Sequence, residues 1–307
     1  MSIVYIIIGA ILVLWGADRL TDGATAIAQR LNIPQIVIGL TVVAMGTSMP
    51  EFFVSLMSAI KGTSDLAVGN IIGSNVFNTM AIVGITALVA PMTISRSTVQ
   101  KDIPFAIVAS VMLLLMCFDT TLSRLEAGVL FLGFLIFMVY TVRIGMKNGD
   151  EQVLNLRPMP IWQMIGLLLL GMACLIGGSD LFVIGAKSVA KTLGVSDAVI
   201  GLTIVACGTS LPELATSIVA ARKGRSAIAI GNVIGSNVFN ILMIIGATGL
   251  ILPMDIQGIT LVDYSVMMGS IVLLWLFSYT KFTVERWEGA VLAIGFFAYM
   301  AWIVIRA

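Results

Sequence analysis

Two acids stand apart from the rest of the chain. Glu51 and Glu213 are embedded in apolar sequence, and each closes the hexapeptide Gly-Thr-Ser-x-Pro-Glu: Gly46-Thr47-Ser48-Met49-Pro50-Glu51 and Gly208-Thr209-Ser210-Leu211-Pro212-Glu213. A charge at membrane depth costs a few kcal/mol, so such a residue faces a partner or a cavity. On a helix, residues four apart share a face, which places Thr47 beside Glu51 and Thr209 beside Glu213, with Ser48 and Ser210 one position along. A proline lacks the N–H of a helical bond and crowds the carbonyl four residues back. Carbonyls around Ala44–Thr47 and Ala206–Thr209 are therefore expected to lose their helical partners, and helices 2 and 7 to be broken. The following segment reads Gly69-Asn70…Gly73-Ser74-Asn75…Asn78, copied as Gly231-Asn232…Gly235-Ser236-Asn237…Asn240. Ser74 with Asn78, and Ser236 with Asn240, again lie four apart. Carboxylates, hydroxyls, amides and freed carbonyls make an all-oxygen site. Oxygen sets suit hard cations, and about six to eight oxygens suit Ca²⁺. Two carboxylates neutralise one divalent ion, and could equally hold monovalent ions or protons.

Positioning such groups requires a scaffold, and the chain repeats itself to supply one. Residues 39–78 and 201–240 match at 25 of 40 positions without a gap, at an offset of 162. The same offset pairs Gly16 with Gly178, Asp18 with Asp180, Pro91 with Pro253, Arg124 with Arg286 and Glu126 with Glu288. About 20 apolar residues cross a bilayer core. Ten spans are expected, at 2–17, 35–59, 67–90, 103–118, 126–145, 161–179, 197–220, 227–251, 263–279 and 287–305. That divides the chain into a first five-helix repeat (1–146), a linker (147–160) and a second repeat (161–307). Five is odd, so the second repeat enters from the opposite side. The expected fold is an all-α polytopic membrane protein with two inverted repeats, a plan whose binding site lies near the midplane. Loops 1–2, 3–4, 5–6, 7–8 and 9–10 carry twelve Lys and Arg against five on the other side. Positive residues stay inside, so both termini are expected outside and the 147–160 linker inside. Asp18 and Asp180 fall near the ends of spans 1 and 6 and read as interfacial caps or packing groups; Glu126 and Glu288 begin spans 5 and 10, where a carboxylate suits the positive helix end.

Composition narrows the function classes. Of 307 residues, 59% are apolar and 11% charged, and the mean hydropathy is +1.08. A soluble domain carries about 25% charged residues. Seventeen Lys and Arg against sixteen Asp and Glu leave no basic field for nucleic acid. With no His there is no His-based catalysis or His metal site. Cys117, Cys174 and Cys207 lie in apolar stretches without Cys-x-x-Cys spacing and read as inert thiols. No cleavable signal or resident cofactor is expected. The acids lack a catalytic nucleophile and base, so the chain reads as a transporter and not an enzyme. Channels also use carboxylate rings, but an inverted repeat with broken helices suits a carrier better.

At these residues the chain resembles the Ca²⁺/cation antiporter superfamily, specifically its prokaryotic sodium/calcium exchangers. Its two copies are similar to that family's α-repeats, G-T-S-x-P-E and G-N-x-I-G-S-N-x-x-N, and the resemblance spans the whole chain. It implies ten helices in two inverted halves in a prokaryotic plasma membrane, with four central cation sites used alternately by one Ca²⁺ or by Na⁺. Carried over, Glu51 and Glu213 would coordinate Ca²⁺ with the carbonyls of Thr47 and Thr209. The Na⁺ sites would add the carbonyls of Ala44 and Ala206 and the side chains of Ser48, Ser74, Ser210 and Ser236, with Asn78 and Asn240 flanking a central position. The resemblance also implies that spans 1 and 6 are long slanted helices that slide across the core, a contact that Gly16, Gly23, Gly178 and Gly185 would suit. Some members have Asp where this chain has Asn240, so only Glu51 and Glu213 carry charge and the Na⁺ number does not transfer. The proton-coupled branch typically shows G-N-x-x-E where this chain has G-T-S-x-P-E, which favours Na⁺ over H⁺ as counter-ion.

Overall fold

The computed structural model describes residues 2–147, 159–194 and 206–306. The 147–160 linker, apart from its ends, and the start of the expected span at 197–220 lie outside the described residues. The fold is all-helical, in the order α1 (Ser2–Leu31), α2 (Gln35–Thr47), α3 (Met49–Ile60), α4 (Ser64–Val89), α5 (Thr98–Met116), α6 (Arg124–Lys147), α7 (Ile161–Thr192), α8 (Ala206–Thr209), α9 (Leu211–Arg222), α10 (Ser226–Ile251), α11 (Leu261–Lys281) and α12 (Arg286–Arg306). Among the described residues, eight helices are long and apolar enough to cross a membrane, and the bent pair α2–α3 makes a ninth. The helices α4 and α10 form the centre, being 83% and 94% buried over their apolar windows, whereas α1, α5, α6, α7, α11 and α12 turn most of their apolar surface outward. Outward-facing Ile, Leu, Val and Phe are what lipid requires, since every backbone polar group is already satisfied within a helix.

The two long helices differ from their expected spans. α1 runs to Leu31 and α7 to Thr192, well beyond the 2–17 and 161–179 windows. Asp18 is therefore a mid-helix residue and not a cap, and Asp180 likewise lies inside α7. The polar stretch does not end α1 because its charges are paired: Lys223 bridges Asp18 and Asp22, Arg225 bonds Asp22 at 2.8 Å, and Arg19 bonds Asp18 at 2.9 Å.

The α1 and α7 helices pack antiparallel along a glycine seam with a seven-residue period. Gly9 meets Gly178, Gly16 meets Gly171, and Gly23 meets Leu168 and Met164, while Gly185 lies against Ser2 and Ile6. The expected sliding contact at Gly16, Gly23, Gly178 and Gly185 is thus a junction between the two long helices. Contact with the core falls elsewhere on α7: Met172 lies against Gly46 and Val183 against Gly208.

The two halves interlock. In the first half, Gly84 of α4 is packed on Gly289 and Ala293 of α12; its counterpart Gly246 of α10 is packed on Ala127 and Phe131 of α6. Two short antiparallel ribbons also join the halves, a feature outside the purely helical expectation. β1 (Met92–Thr93) pairs with β4 (Thr283–Val284), and β2 (Thr121–Leu122) pairs with β3 (Met254–Asp255). As expected, Glu126 and Glu288 mark helix starts. Glu126 accepts from the Ser123 N–H at 2.9 Å and Glu288 from the Glu285 N–H at 2.7 Å, as in an N-terminal capping box.

Candidate cation site

The site is built on two matched helix breaks. Ser48 separates α2 from α3 (φ −85°, ψ 9°) and Ser210 separates α8 from α9 (φ −94°, ψ 10°). Both occupy the bridge region, which is sparsely populated and common in functional sites. The break at Ser48 bends the chain by 48°. Pro50 and Pro212 sit in the first turns of α3 and α9 and not mid-helix, so the missing N–H costs nothing there. The consequence for the preceding helix is selective. The Gly46 carbonyl cannot receive its helical bond, because residue 50 is proline. The expectation that Ala44 is freed fails: its carbonyl accepts the Ser48 N–H at 3.0 Å and the Thr47 hydroxyl at 3.3 Å. Each break brings one helix C-terminus, rich in carbonyls, against one helix N-terminus. Glu51 and Glu213 occupy those N-terminal turns, where the helix dipole favours negative charge.

The two halves meet through reciprocal bonds. Ser48 Oγ donates to Glu213 Oε1 at 2.8 Å, and Ser210 Oγ donates to Glu51 Oε1 at 2.7 Å. Ser210 lies 3.3 Å from Ser74 Oγ, and Thr209 lies against the Glu51 carboxylate. Glu51 and Glu213 are each 1% exposed, and Ser48, Ser210 and Asn240 are fully buried. Asn78 and Asn240 sit in π-helical turns of α4 and α10, Phe77–Ile82 and Phe239–Ile245, a distortion frequent at functional sites. Ala206 opens α8 and Thr209 ends it, so both backbones stand at the second break.

Buried polar atoms are normally hydrogen-bonded. Here Glu51 Oε2, Glu213 Oε2, Asn78 Oδ1 and Asn240 Oδ1 accept no well-formed hydrogen bond among the described residues, and the hydroxyls of Thr47 and Ser236 lie against the Glu213 carboxylate. Each of them can accept, and the carboxylate and amide oxygens can do nothing else. They belong to the residues read from the repeat, and the two glutamates supply the charge. Such a set is ready for a cation.

A surrounding layer of amides belongs to the repeat as well, although the repeat assigns it no role. Asn70 Nδ2 donates to the Glu51 carbonyl at 3.3 Å and to Ser55 Oγ at 3.0 Å; Asn232 Nδ2 does the same to the Glu213 carbonyl at 3.2 Å and Ser217 Oγ at 3.1 Å. These amides staple α3 to α4 and α9 to α10. Asn232 also accepts from Thr47 Oγ1 at 3.0 Å, tying the second half to the first break. Their signal is the offset: Ser55 with Ser217, Asn70 with Asn232 and Asn75 with Asn237 are all 162 apart. Asn232→Ala removes the bonds to Glu213, Ser217 and Thr47 in a buried setting, each lost partner costing about 1–3 kcal/mol. A fall in the melting temperature of detergent-solubilised protein is expected for it, and an unchanged melting temperature would contradict these bonds.

A polytopic helical protein that buries an oxygen-only, doubly acidic cluster between broken helices is a membrane cation transporter. The sodium/calcium exchanger protein family matches residues 1–143 and 163–305, so the chain belongs to that family. It is 39% identical to the putative antiporter CaxA of Alkalimonas amylolytica, covering 97% of each chain. It is 31% identical to the sodium/calcium exchanger MaX1 of Methanosarcina acetivorans, covering 98% of this chain and 97% of that one. A solved structure of the sodium-calcium exchanger NCX_Mj, soaked with Na⁺ and Ca²⁺, superposes with a TM-score of 0.86 at 31% identity, covering 98% of this chain and 97% of that one. The chain is an integral membrane cation antiporter of the prokaryotic exchanger type.

Proposed function

We propose that this protein exchanges Ca²⁺ for Na⁺ by alternating access, with both ions competing for the oxygen cluster around Glu51 and Glu213. The observation that carries this reading is the set of buried acceptor oxygens, receiving no well-formed hydrogen bond, contributed by two matched helix breaks and the helices that follow them. Two carboxylates balance one Ca²⁺. Replacing it by Na⁺ preserves local neutrality only when more than one Na⁺ enters. A partly loaded cluster leaves charge unpaired in a low-dielectric interior, which is strongly unfavourable, so the empty or half-filled carrier resists the transition and exchange is enforced.

Residues 1–146 and 161–307 act as inverted five-helix halves joined by the 147–160 linker, with both termini outside the plasma membrane. The ribbons support this. Residue 92 and its repeat counterpart 254 lie at opposite ends of the bundle, because α5 separates the β1–β4 ribbon from the β2–β3 ribbon. Parallel repeats would place them at the same end.

The α1–α7 pair moves as one body over the core. Its seating is uneven. α1 packs against α9, and that contact is tied by the Asp18, Asp22, Lys223 and Arg225 cluster. The repeat counterparts of Asp18 and Lys223 are Asp180 and Lys61, which are exposed and, among the described residues, joined by no ion pair. The side carrying Lys223 is thus the closed one in this conformer, and that side is cytoplasmic by the charge asymmetry of the loops.

The test is Ca²⁺ uptake into proteoliposomes driven separately by a Na⁺ gradient and by a pH gradient. Uptake with the Na⁺ gradient alone is expected. Uptake with the pH gradient alone would assign the counter-ion to H⁺ carried by the same glutamates.

A further inference from the structure

The amide of Asn240 can present its oxygen to a cation only if its nitrogen is held elsewhere. We propose that Asn75, a residue of the opposite half, is the positioning residue that turns Asn240 carbonyl-inward and so makes a neutral amide serve as a cation ligand. The inference rests on the site assigned under the proposed function and adds a residue to it.

The argument begins at an atom that can only accept. Asn75 Nδ2 lies 3.3 Å from the backbone carbonyl oxygen of Asn237. A backbone carbonyl cannot donate, so the nitrogen of Asn75 must face it and the two ends of this amide are not interchangeable. The Asn75 oxygen then points the other way, where it accepts from Asn240 Nδ2 at 3.0 Å. An oxygen there admits a nitrogen and rejects an oxygen, so Asn240 is fixed in turn. Its own Oδ1 is directed away from Asn75, fully buried and without a partner. Both links are buried: Asn75 is 2% exposed.

The matching arrangement in the other half is not anchored in this way. Asn237 Oδ1 accepts from Asn78 Nδ2 at 3.2 Å, and Asn237 Nδ2 donates to Thr79 Oγ1 at 2.8 Å. A hydroxyl can either donate or accept, so Thr79 would tolerate both amides turned over together. The residue 162 positions beyond Thr79 is Ile241, so the second half has no such hydroxyl. Of the two central asparagines, Asn240 is the one whose orientation is set by a backbone atom. A carboxylate at position 240 would need no such device, because both of its oxygens accept.

That contrast supplies the test. Asn75→Ala, Asn240→Asp and the double variant are purified in detergent, and equilibrium ⁴⁵Ca²⁺ binding is measured beside Ca²⁺ exchange in proteoliposomes. Removing a residue that orients a metal ligand weakens binding by about 10–100-fold. Asn75→Ala is therefore expected to weaken Ca²⁺ binding at least about tenfold against wild type. In the Asn240→Asp background the same substitution is expected to cost nothing or to tighten binding, since a carboxylate presents an acceptor whichever way it is turned and loses an opposing oxygen when Asn75 is removed. A merely structural Asn75 would impose the same loss in both backgrounds and would overturn the proposal, as would Asn75→Ala binding like wild type. If Asn75→Ala does not accumulate as monodisperse protein, Asn75→Ser is read by the same criteria, because its hydroxyl can serve the Asn237 carbonyl but lacks the reach to Asn240. Wild type that binds Ca²⁺ in this pattern but does not exchange it would overturn the transport reading alone.

Discussion

Glu51→Gln and Glu213→Gln are each expected to insert and fold yet to carry no measurable Ca²⁺. Glutamine keeps the length of the side chain, and its carbonyl oxygen still accepts from Ser210 or Ser48, so the reciprocal link between the two breaks survives. What changes is the second atom. Oε2, which accepts no well-formed hydrogen bond, becomes an amide NH₂, a donor pointing into a cluster of acceptors. The formal charge of the pair falls from two negatives to one. A bound Ca²⁺ would leave an uncompensated positive charge in the interior, and breaking a buried charge balance in this way costs about 3–5 kcal/mol. That corresponds to more than two orders of magnitude in binding, since each 1.4 kcal/mol is a factor of about ten. ⁴⁵Ca²⁺ flux in proteoliposomes checks it, and flux at the wild-type rate from either variant would remove the glutamate from the site. Because the two acids are matched by the repeat and bonded to matched serines, the two variants are expected to be equally inactive.

The acid pair is legible in the sequence, since acids in apolar surroundings are rare and these two recur at a fixed offset. The serines that follow the threonines are legible for the same reason. Their crossed bonding is not, because it depends on how the halves face one another. A repeat says that Ser48 and Ser210 are equivalent, but not that each serves the other half's glutamate. The prolines, deep in apolar stretches, look like mid-helix kinks. The structure instead starts a new helix just before each of them, which spares the Ala44 carbonyl and places the glutamates in a first turn. Hydropathy ends α1 too early because it takes Asp18, Arg19 and Asp22 as a boundary. Lys223 and Arg225, some two hundred residues away in the chain, neutralise those acids and let the helix continue. The two-residue ribbons carry no periodicity long enough to detect. The amides at 70, 75, 232 and 237 are visible as repeated residues, but hydrogen-bond donors reveal what they orient only in three dimensions.

The α1–α7 seam leads to the other large effect. A β-carbon on Gly171 would lie 2.6 Å from the Leu20 nitrogen and 2.8 Å from the Gly16 carbonyl oxygen; one on Gly178 would lie 2.9 Å from the Gly9 carbonyl oxygen and the Val13 nitrogen. These neighbours are backbone, which cannot swing aside as a side chain can. Small residues at such crossings let helices approach closely, and packing rather than hydrophobic burial holds helices together in lipid. Gly171→Val and Gly178→Val must therefore push the two long helices apart, and transport is expected to fall by more than about tenfold, the effect of a barrier raised by at least about 1.4 kcal/mol. Gly177 provides the control on the same helix. A β-carbon there meets nothing within 4 Å, and alanine is favoured over glycine in a helix interior by about 1 kcal/mol. Gly177→Ala is expected to transport like wild type. A cross-link then separates two ways of moving. Ser2 of α1 and Ser188 of α7 face each other with their hydroxyl oxygens 2.7 Å apart, so Ser2→Cys with Ser188→Cys places two thiols within bonding reach across the seam. If α1 and α7 travel as one body, oxidising that pair leaves exchange intact. If the helices slide past each other, the disulfide arrests exchange until it is reduced, and the glycine seam is then a track and not a weld.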